Sequence, residues 1–273
     1  MQVTYFCAVF SATKLAKKYL HYYFTASNSK GHGIHSPFVF DFVKLVKNDR
    51  KVYECYAGIE HVRSTLLKNE ETIAVEDFGA GSAVIKTNQR KIARMAASSL
   101  KPKKFAQLLF RIVKHYQPVT IVELGTSFGI SSAYMASAHP AVKLYTMEGA
   151  PAIAKVASDT YNTLGIQNVT VIEGDFAKTL TPLLASLSQV DLAFIDGNHR
   201  KLPTLEYFYQ FLQKSTDTTI LIFDDIHWSS GMEEAWAEIK INDRVTLTID
   251  LFFIGIVFFR SDFKEKQHFS IRF

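Results

Sequence analysis

The spacing of hydrophobic positions changes near Lys101-Pro102-Lys103-Lys104. Before that point apolar residues recur at helical intervals: Phe38, Phe42, Leu45 and Val46, then Val62, Leu66 and Leu67, then Ile92 to Leu100. The segment Ser27 to Pro37 reads as a loop from its Gly, Asn and Ser content. After Lys104 helical and strand-like stretches alternate. Helices are predicted over Phe105–Tyr116, with Leu108, Leu109, Ile112 and Val113 on one face, and over Ile130–Ala138. Pro151, at a favoured first position, opens another, and Phe176–Leu187, Pro203–Leu212 and Met232–Lys240 follow. Strands are predicted over Val119–Leu124, Lys143–Met147, Val169–Ile172, Val190–Ile195 and Thr218–Phe223. Val245–Ile249 and Leu251–Phe259 are late β segments with no helix between them. Leu192–Ile195 and Thr219–Phe223 are unbroken apolar runs, as strands covered on both faces are. The pattern predicts an α/β fold: a doubly wound, mostly parallel seven-stranded sheet, closed by an antiparallel pair at one edge. The division expected is a helical cap over residues 1–100, an α/β domain over 101–262 and a tail over 263–273.

Composition narrows the class. The chain has 273 residues, 48% hydrophobic and 21% charged, which excludes a disordered or low-complexity chain. Two cysteines, Cys7 and Cys55, are too few for a disulfide framework and point to a reduced, cytoplasmic protein. The apolar run Val3 to Ala12 is too short to span a bilayer and lacks the basic start of a secretory signal. His32 and His35 have no cysteine partners, which argues against zinc. Net charge is +5, unevenly spread: residues 1–100 hold 14 Lys/Arg and 8 Asp/Glu (+6), leaving 17 and 18 (−1) for the rest. A solvated helical face is the commoner reason for a basic front; an anionic membrane surface or nucleic acid is the other. Tyr19, Tyr22, Tyr23 and Phe24 lie beside three lysines, a cluster suited to a second subunit in a homodimer, a membrane surface or nucleic acid.

Candidate chemistry lies at the ends of the predicted strands, where open α/β sheets bind ligands. The first ends Glu123-Leu-Gly125-Thr126-Ser127-Phe-Gly129-Ile-Ser131. Its G-x-x-x-G spacing is neither the dinucleotide fingerprint nor a P-loop. Glu123 would repel pyrophosphate and suits an ammonium-bearing ligand. The second strand ends at Glu148-Gly149, an acid placed to accept both hydroxyls of a ribose. The third ends Gly174-Asp175-Phe176, offering an amide edge and an aromatic face to a purine. Asp77-Phe-Gly-Ala-Gly-Ser82 mimics a glycine loop, but no second strand with an acid follows at the right distance, and it reads as a turn or substrate-side lid.

Taken in order from about Lys104 to Arg260, these residues resemble class I S-adenosylmethionine-dependent methyltransferases. The resemblance implies the Rossmann-like methyltransferase fold and S-adenosyl-L-methionine as cofactor. It implies a binding set of Glu123, Gly125, Thr126, Ser127, Gly129, Ser131, Glu148, Gly149, Gly174, Asp175, Phe176 and Asp196. The fourth and fifth strands end Asp196-Gly-Asn-His199 and Asp224-Asp225-Ile-His227, an arrangement that resembles the catechol-type small-molecule O-methyltransferases. There a metal takes an Asp after the fourth strand and an Asp-Asn pair after the fifth. Asp196 and Asp224 match, while Asp225 stands where that family has Asn. The implied site is Mg2+ or another divalent metal on Asp196, Asp224 and Asp225. His199 occupies the place of the family's general-base lysine, so the implied catalytic residues are His199 and Asp196, with Lys201 as a weaker stand-in. His227 and Trp228 either shape the acceptor pocket or pack. The reading is O-methylation of a small molecule, with the front of the chain over the crevice mouth. RNA or protein methylation and a non-catalytic cofactor-binding module are the alternatives. Asp196-Gly-Asn-His199 is not the Asn/Asp-Pro-Pro-Tyr of amino-methylating nucleic-acid enzymes, and the glycine spacing argues against a nicotinamide oxidoreductase.

Overall fold

The computed structural model describes residues 9–27, 35–75 and 89–273. In chain order its elements are helices α1 (Ala12–Thr25), α2 (Pro37–Asp41), continued by a π-helical turn over Phe42–Lys47, and α3 (Cys55–Leu66). Strands β1 (Thr72–Ala74) and β2 (Gln89–Lys91) and helices α4 (Ile92–Ser99) and α5 (Lys103–Tyr116) follow. The alternating part is β3 (Thr120–Leu124), α6 (Ile130–Ala136), β4 (Lys143–Glu148), α7 (Pro151–Leu164), β5 (Val169–Glu173), α8 (Phe176–Ser186), β6 (Leu192–Ile195), α9 (Lys201–Leu212), β7 (Ile220–Asp224) and α10 (Ser230–Ile241). Strands β8 (Leu247–Asp250), β9 (Ile254–Phe258) and β10 (Gln267–Ser270) complete it. This is a mostly parallel sheet architecture with flanking helices, the Rossmann-like class expected. Among the described residues no helix is long and apolar enough to cross a membrane.

The chain forms two compact units, residues 41–188 and residues 1–40 with 189–273. In the continuous unit β3, β4 and β5 run parallel, with Val122 opposite Tyr145 and Tyr145 opposite Thr170. The predicted face of α5, Leu108, Leu109, Ile112 and Val113, is wholly buried. Helix α6 is buried along its whole length. From the front of the chain, Tyr56 on α3 meets the rings of Phe110 and Tyr134, and Tyr134 donates to Glu60 at 2.8 Å. Strands β1 and β2 pair antiparallel; the glycine loop Asp77 to Ser82 that follows β1 lies outside the described residues, as do Cys7 and His32.

The π-helical turn buries Phe42, Val43 and Val46, and Arg111 of α5 reaches its open end, Nε donating to the Val46 carbonyl at 2.7 Å. Lys47 is buried there, 2.9 Å from Asn48 Oδ1. Burial, then the neighbouring Lys104 and Arg111 charges, lowers its pKa from 10.5 to about 8. Between those two values the unfolded chain binds the extra proton, so unfolding free energy should rise with pH across that window. Denaturant melts of the wild type should show that rise, and Lys47→Met should flatten it.

In the discontinuous unit the strand order is β10-β8-β9-β7-β6. Strands β6 and β7 are parallel, with Ile195 opposite Phe223; β7–β9 and β8–β9 are antiparallel. The expected antiparallel pair is present, but it is not the edge. Strand β10 lies outside β8 and parallel to it, a strand beyond the seven predicted and inside what reads as a tail. The segment from Leu251 is not strand throughout: Leu251 to Phe253 make the β8–β9 turn, with Phe252 at φ 70° and the Leu251 amide donating to the Ile254 carbonyl at 2.8 Å. A left-handed phenylalanine is costly. The packing that holds it is the His227 ring, stacked 5.1 Å away, and the Tyr19 and Tyr22 rings of α1 at 5.1 and 5.3 Å. Tyr19 and Tyr22 of the aromatic cluster thus pack within their own chain, while Tyr23 and Phe24 stay exposed.

Candidate active site

The turn from β3 into α6 carries the first motif. Gly125 (φ 100°), Ser127 (φ 48°) and Gly129 (φ 79°) are all left-handed, so the chain reverses tightly with main-chain groups on its outside. A Cβ on Gly129 would lie 2.7 Å from the Tyr161 ring of α7, so this glycine also permits a close helix contact. Ser127 Oγ is 2.9 Å from Ser99 Oγ on α4, which ties the front of the chain to the motif.

Glu123 does not face open space. It is wholly buried; Ser131 Oγ donates to Oε1 at 2.6 Å, Thr146 Oγ1 to Oε2 at 2.7 Å, and Ser132 Oγ also to Oε2. Thr126 and Thr146 hydroxyls are 2.6 Å apart in the same network. Any reach of this carboxylate toward a ligand passes through a hydroxyl, and Ser131, whose proton is committed to Glu123, keeps its lone pairs. Ser99, Ser132 and Thr146 are not among the residues that the sequence singles out. The Ser-Ser pair after Gly129 is the available signal, since short hydroxyl side chains on the first turn of α6 are well placed to satisfy a buried acid on the preceding strand.

Glu148 ends β4 half-buried. The Ser127 amide donates to its Oε2 at 3.0 Å and the Ala150 amide to Oε1 at 3.1 Å. Burial raises its pKa, and the amides of Ala150, Ser127 and Gly149 pull the other way. A carboxylate has about four lone-pair sites, so these amides leave capacity for a further donor, which a ribose diol would fill. Gly174 (φ 130°) donates to the Glu148 carbonyl at 2.9 Å, joining the β4 and β5 ends. Asp175 caps α8, accepting from the Ala177 amide at 3.1 Å, and holds Phe176 at the first helical position. These residues fit an adenosyl ligand: a cradle of left-handed backbone, a ribose acceptor and an aromatic ring.

In the other unit, Asp196 and Asp224 end the paired strands β6 and β7. Among the described residues the group with donor atoms within 4.8 Å of one another is Asp196, His199 and Asp224. His199 Nε2 is 3.6 Å from Asp196 Oδ1. Asn198 and His199 both take positive φ; the Asn198 amide donates to the Tyr207 hydroxyl at 3.1 Å, and Arg200 grips its oxygen. Asp225, the third expected ligand, is not in the group. It sits at φ 53°, and its amide donates to the Phe253 carbonyl at 2.6 Å, holding the β7 end to the β8–β9 turn. Lys201 is directed to α10, 3.0 Å from Glu234 and 3.9 Å from Glu238. His227 has both ring nitrogens engaged, Nδ1 with Glu233 and Nε2 with Asp250, each at 2.9 Å. Burial lowers its pKa, but the hydrogen bonds and charges of Asp250 and Glu233 outweigh this and raise it.

Residues 122–226 match a family model described as a methyltransferase domain. Over that stretch the chain carries a methyltransferase domain. The chain has the fold of several solved structures. One is an O-methyltransferase from Bacillus cereus in complex with S-adenosylhomocysteine: 18% identity, TM-score 0.55, covering 79% of this chain and 95% of that one. Another is the S-adenosylhomocysteine-bound Podospora anserina methyltransferase PaMTH1: 13% identity, TM-score 0.58, covering 83% and 97%. A third is TomG, an O-methyltransferase of tomaymycin synthesis from Streptomyces achromogenes, in complex with S-adenosylmethionine: 20% identity, TM-score 0.52, covering 82% and 95%. No curated protein matches the sequence.

Proposed function

We propose that this methyltransferase transfers a methyl group to an oxygen of a small molecule. The observation that carries the reading is the set of groups at the β6 and β7 ends, where His199 stands 3.6 Å from Asp196 beside buried Asp224. Methylating a hydroxyl requires removal of its proton and a means of steadying the oxygen, and these side chains supply both. The resemblance assigns cofactor binding to the β3, β4 and β5 ends. Glu148 accepts the ribose hydroxyls, and the ammonium group meets the Ser131 hydroxyl that Glu123 polarises. Bound S-adenosylmethionine supplies the methyl group on a sulfonium. His199 takes the acceptor's proton at an imidazole nitrogen, oriented by Asp196, as the oxygen–carbon bond forms and the carbon–sulfur bond breaks. The carboxylates of Asp196 and Asp224 also suit a hard divalent cation such as Mg2+ or Mn2+, which would lower the acceptor's pKa.

Calorimetric titration with S-adenosylmethionine, S-adenosylhomocysteine and NAD tests the assignment. The first two are expected to bind and NAD not; binding of NAD alone would overturn it. Glu148→Ala should weaken S-adenosylhomocysteine binding about tenfold or more, the scale of losing charge-assisted hydrogen bonds to two hydroxyls. Unchanged affinity would remove Glu148 from the ribose site. Repeating the titration of an accepted substrate with and without Mg2+ or Mn2+, on the wild type and Asp224→Ala, tests the metal. Acceptor binding that ignores both changes would remove it.

A further inference from the structure

The discontinuous unit also contains a recess beside α1, which shares His227 with the motif at the β7 end. A cavity of about 430 Å³ lies between α1 and the β8–β9 turn, lined on the helix side by Lys14, Lys17, Lys18, His21 and Thr25 and opposite by His227 and Phe252. That volume is in the range of small-ligand pockets. Lys14, Lys17, Lys18 and His21 are spaced i, i+3, i+4 and i+7, which puts them on one helix face. Such a face is often only solvated. Here it borders a concave space whose opposite wall includes His227 and Phe252.

The charges do not balance. Two carboxylates also line the recess, Glu233 and Asp250, and both are engaged. Lys18 Nζ donates to both Glu233 oxygens at 2.9 Å. His227 bridges Glu233 and Asp250, and the Phe252 amide donates to the remaining Asp250 oxygen at 2.8 Å. Lys14, Lys17 and His21 have no acidic partner among the described residues; Lys14 only rests over the Phe10 ring at 4.1 Å. Two lysine charges therefore face a recess whose acids are already neutralised. A doubly charged group would pair with both.

We propose that the recess beside α1 is a binding site for a small dianion of the phosphate monoester class. The site stands independently of the methyl-transfer reading. Phenyl phosphate is the probe, titrated into the full chain by calorimetry, with benzyl alcohol as its neutral counterpart. Saturable binding of phenyl phosphate is expected, weakening as salt is added, with none for benzyl alcohol. The double variant Lys14→Glu, Lys17→Glu should lose about tenfold or more in affinity, whereas Lys155→Glu, on the exposed face of α7, should lose none. Helix α1 is expected to survive, because Ser11 caps it and a glutamate at position 14 completes a capping box. Should that variant unfold, Lys14→Gln with Lys17→Gln should show a smaller loss in the same direction. No saturable binding to the wild type, or equal affinity in the lysine variants, would overturn the proposal.

Discussion

Replacing His199 by alanine should slow methyl transfer by about 10²–10³-fold, the usual range for losing a positioned general base, with cofactor affinity within about twofold of wild type. The loop sets the position. Asn198 and His199 both hold positive φ, Tyr207 and Arg200 anchor the Asn198 side chain, and Asp196 faces the imidazole at 3.6 Å. The only lysine nearby in sequence, Lys201, is paired with α10 and offers no replacement. Because Asp224 also belongs to this group, a metal-ligand role for His199 makes a rival forecast. A base leaves the half-saturating concentration of Mg2+ or Mn2+ unchanged in the variant; a ligand raises it. Single-turnover rates with any hydroxylated acceptor the wild type accepts separate the two. A rate within about threefold of wild type would remove His199 from the chemistry.

Gly129→Ala should be the most damaging small substitution in the β3–α6 loop. Two costs combine. A left-handed residue with a Cβ loses about 1–2 kcal/mol, and forcing a methyl group into a packed interior adds about 1–3 kcal/mol. The second cost applies because the new atom would lie 2.7 Å from the Tyr161 ring, which is 5% exposed and has little room to swing. Gly165 isolates the first cost, since it is also left-handed (φ 67°) but has nothing within 4 Å of the place a Cβ would take. Denaturant melts should therefore show a loss of about 3 kcal/mol for Gly129→Ala and about 1 kcal/mol for Gly165→Ala. Calorimetry should find cofactor binding lost in the first and kept in the second. Equal losses would mean that Tyr161 yields and that backbone handedness alone sets the cost.

The parts legible in sequence share a physical cause. Helix α5 and strands β3, β6 and β7 are buried on every face the pattern assigns to the core, so their apolar runs are long and regular. Strand β10 is illegible because it needs only one covered face: Gln267 to Ser270 alternate half-buried and exposed, and four mostly polar residues carry little signal. Leu251–Phe253 mislead for the opposite reason, as three apolar residues that suit a strand are here a turn wrapped in aromatic rings. In the β3–α6 loop, positions can be read but directions cannot. Glu123 is where the motif puts an acid, yet three hydroxyls from α6 and β4 cover it, and nothing in the spacing of one strand reports on the side chains of the next. Asp225 likewise has the right type and place, but a left-handed backbone sets it apart from Asp196 and Asp224. The recess beside α1 joins residues from opposite ends of the sequence and has no local signature.

The Tyr22 hydroxyl donates to the carbonyl of Ile271 across 249 residues of chain, and Ser27 bridges to the same residue. During synthesis the ribosome releases α1 well before its partners. Until those partners emerge the nascent helix must keep Leu15, Tyr19 and Tyr22 uncovered, while residues 41–188 form a compact unit that is contiguous in sequence. The lysines along α1 would then act early as well as late, keeping a sticky helix dissolved until its counterpart emerges.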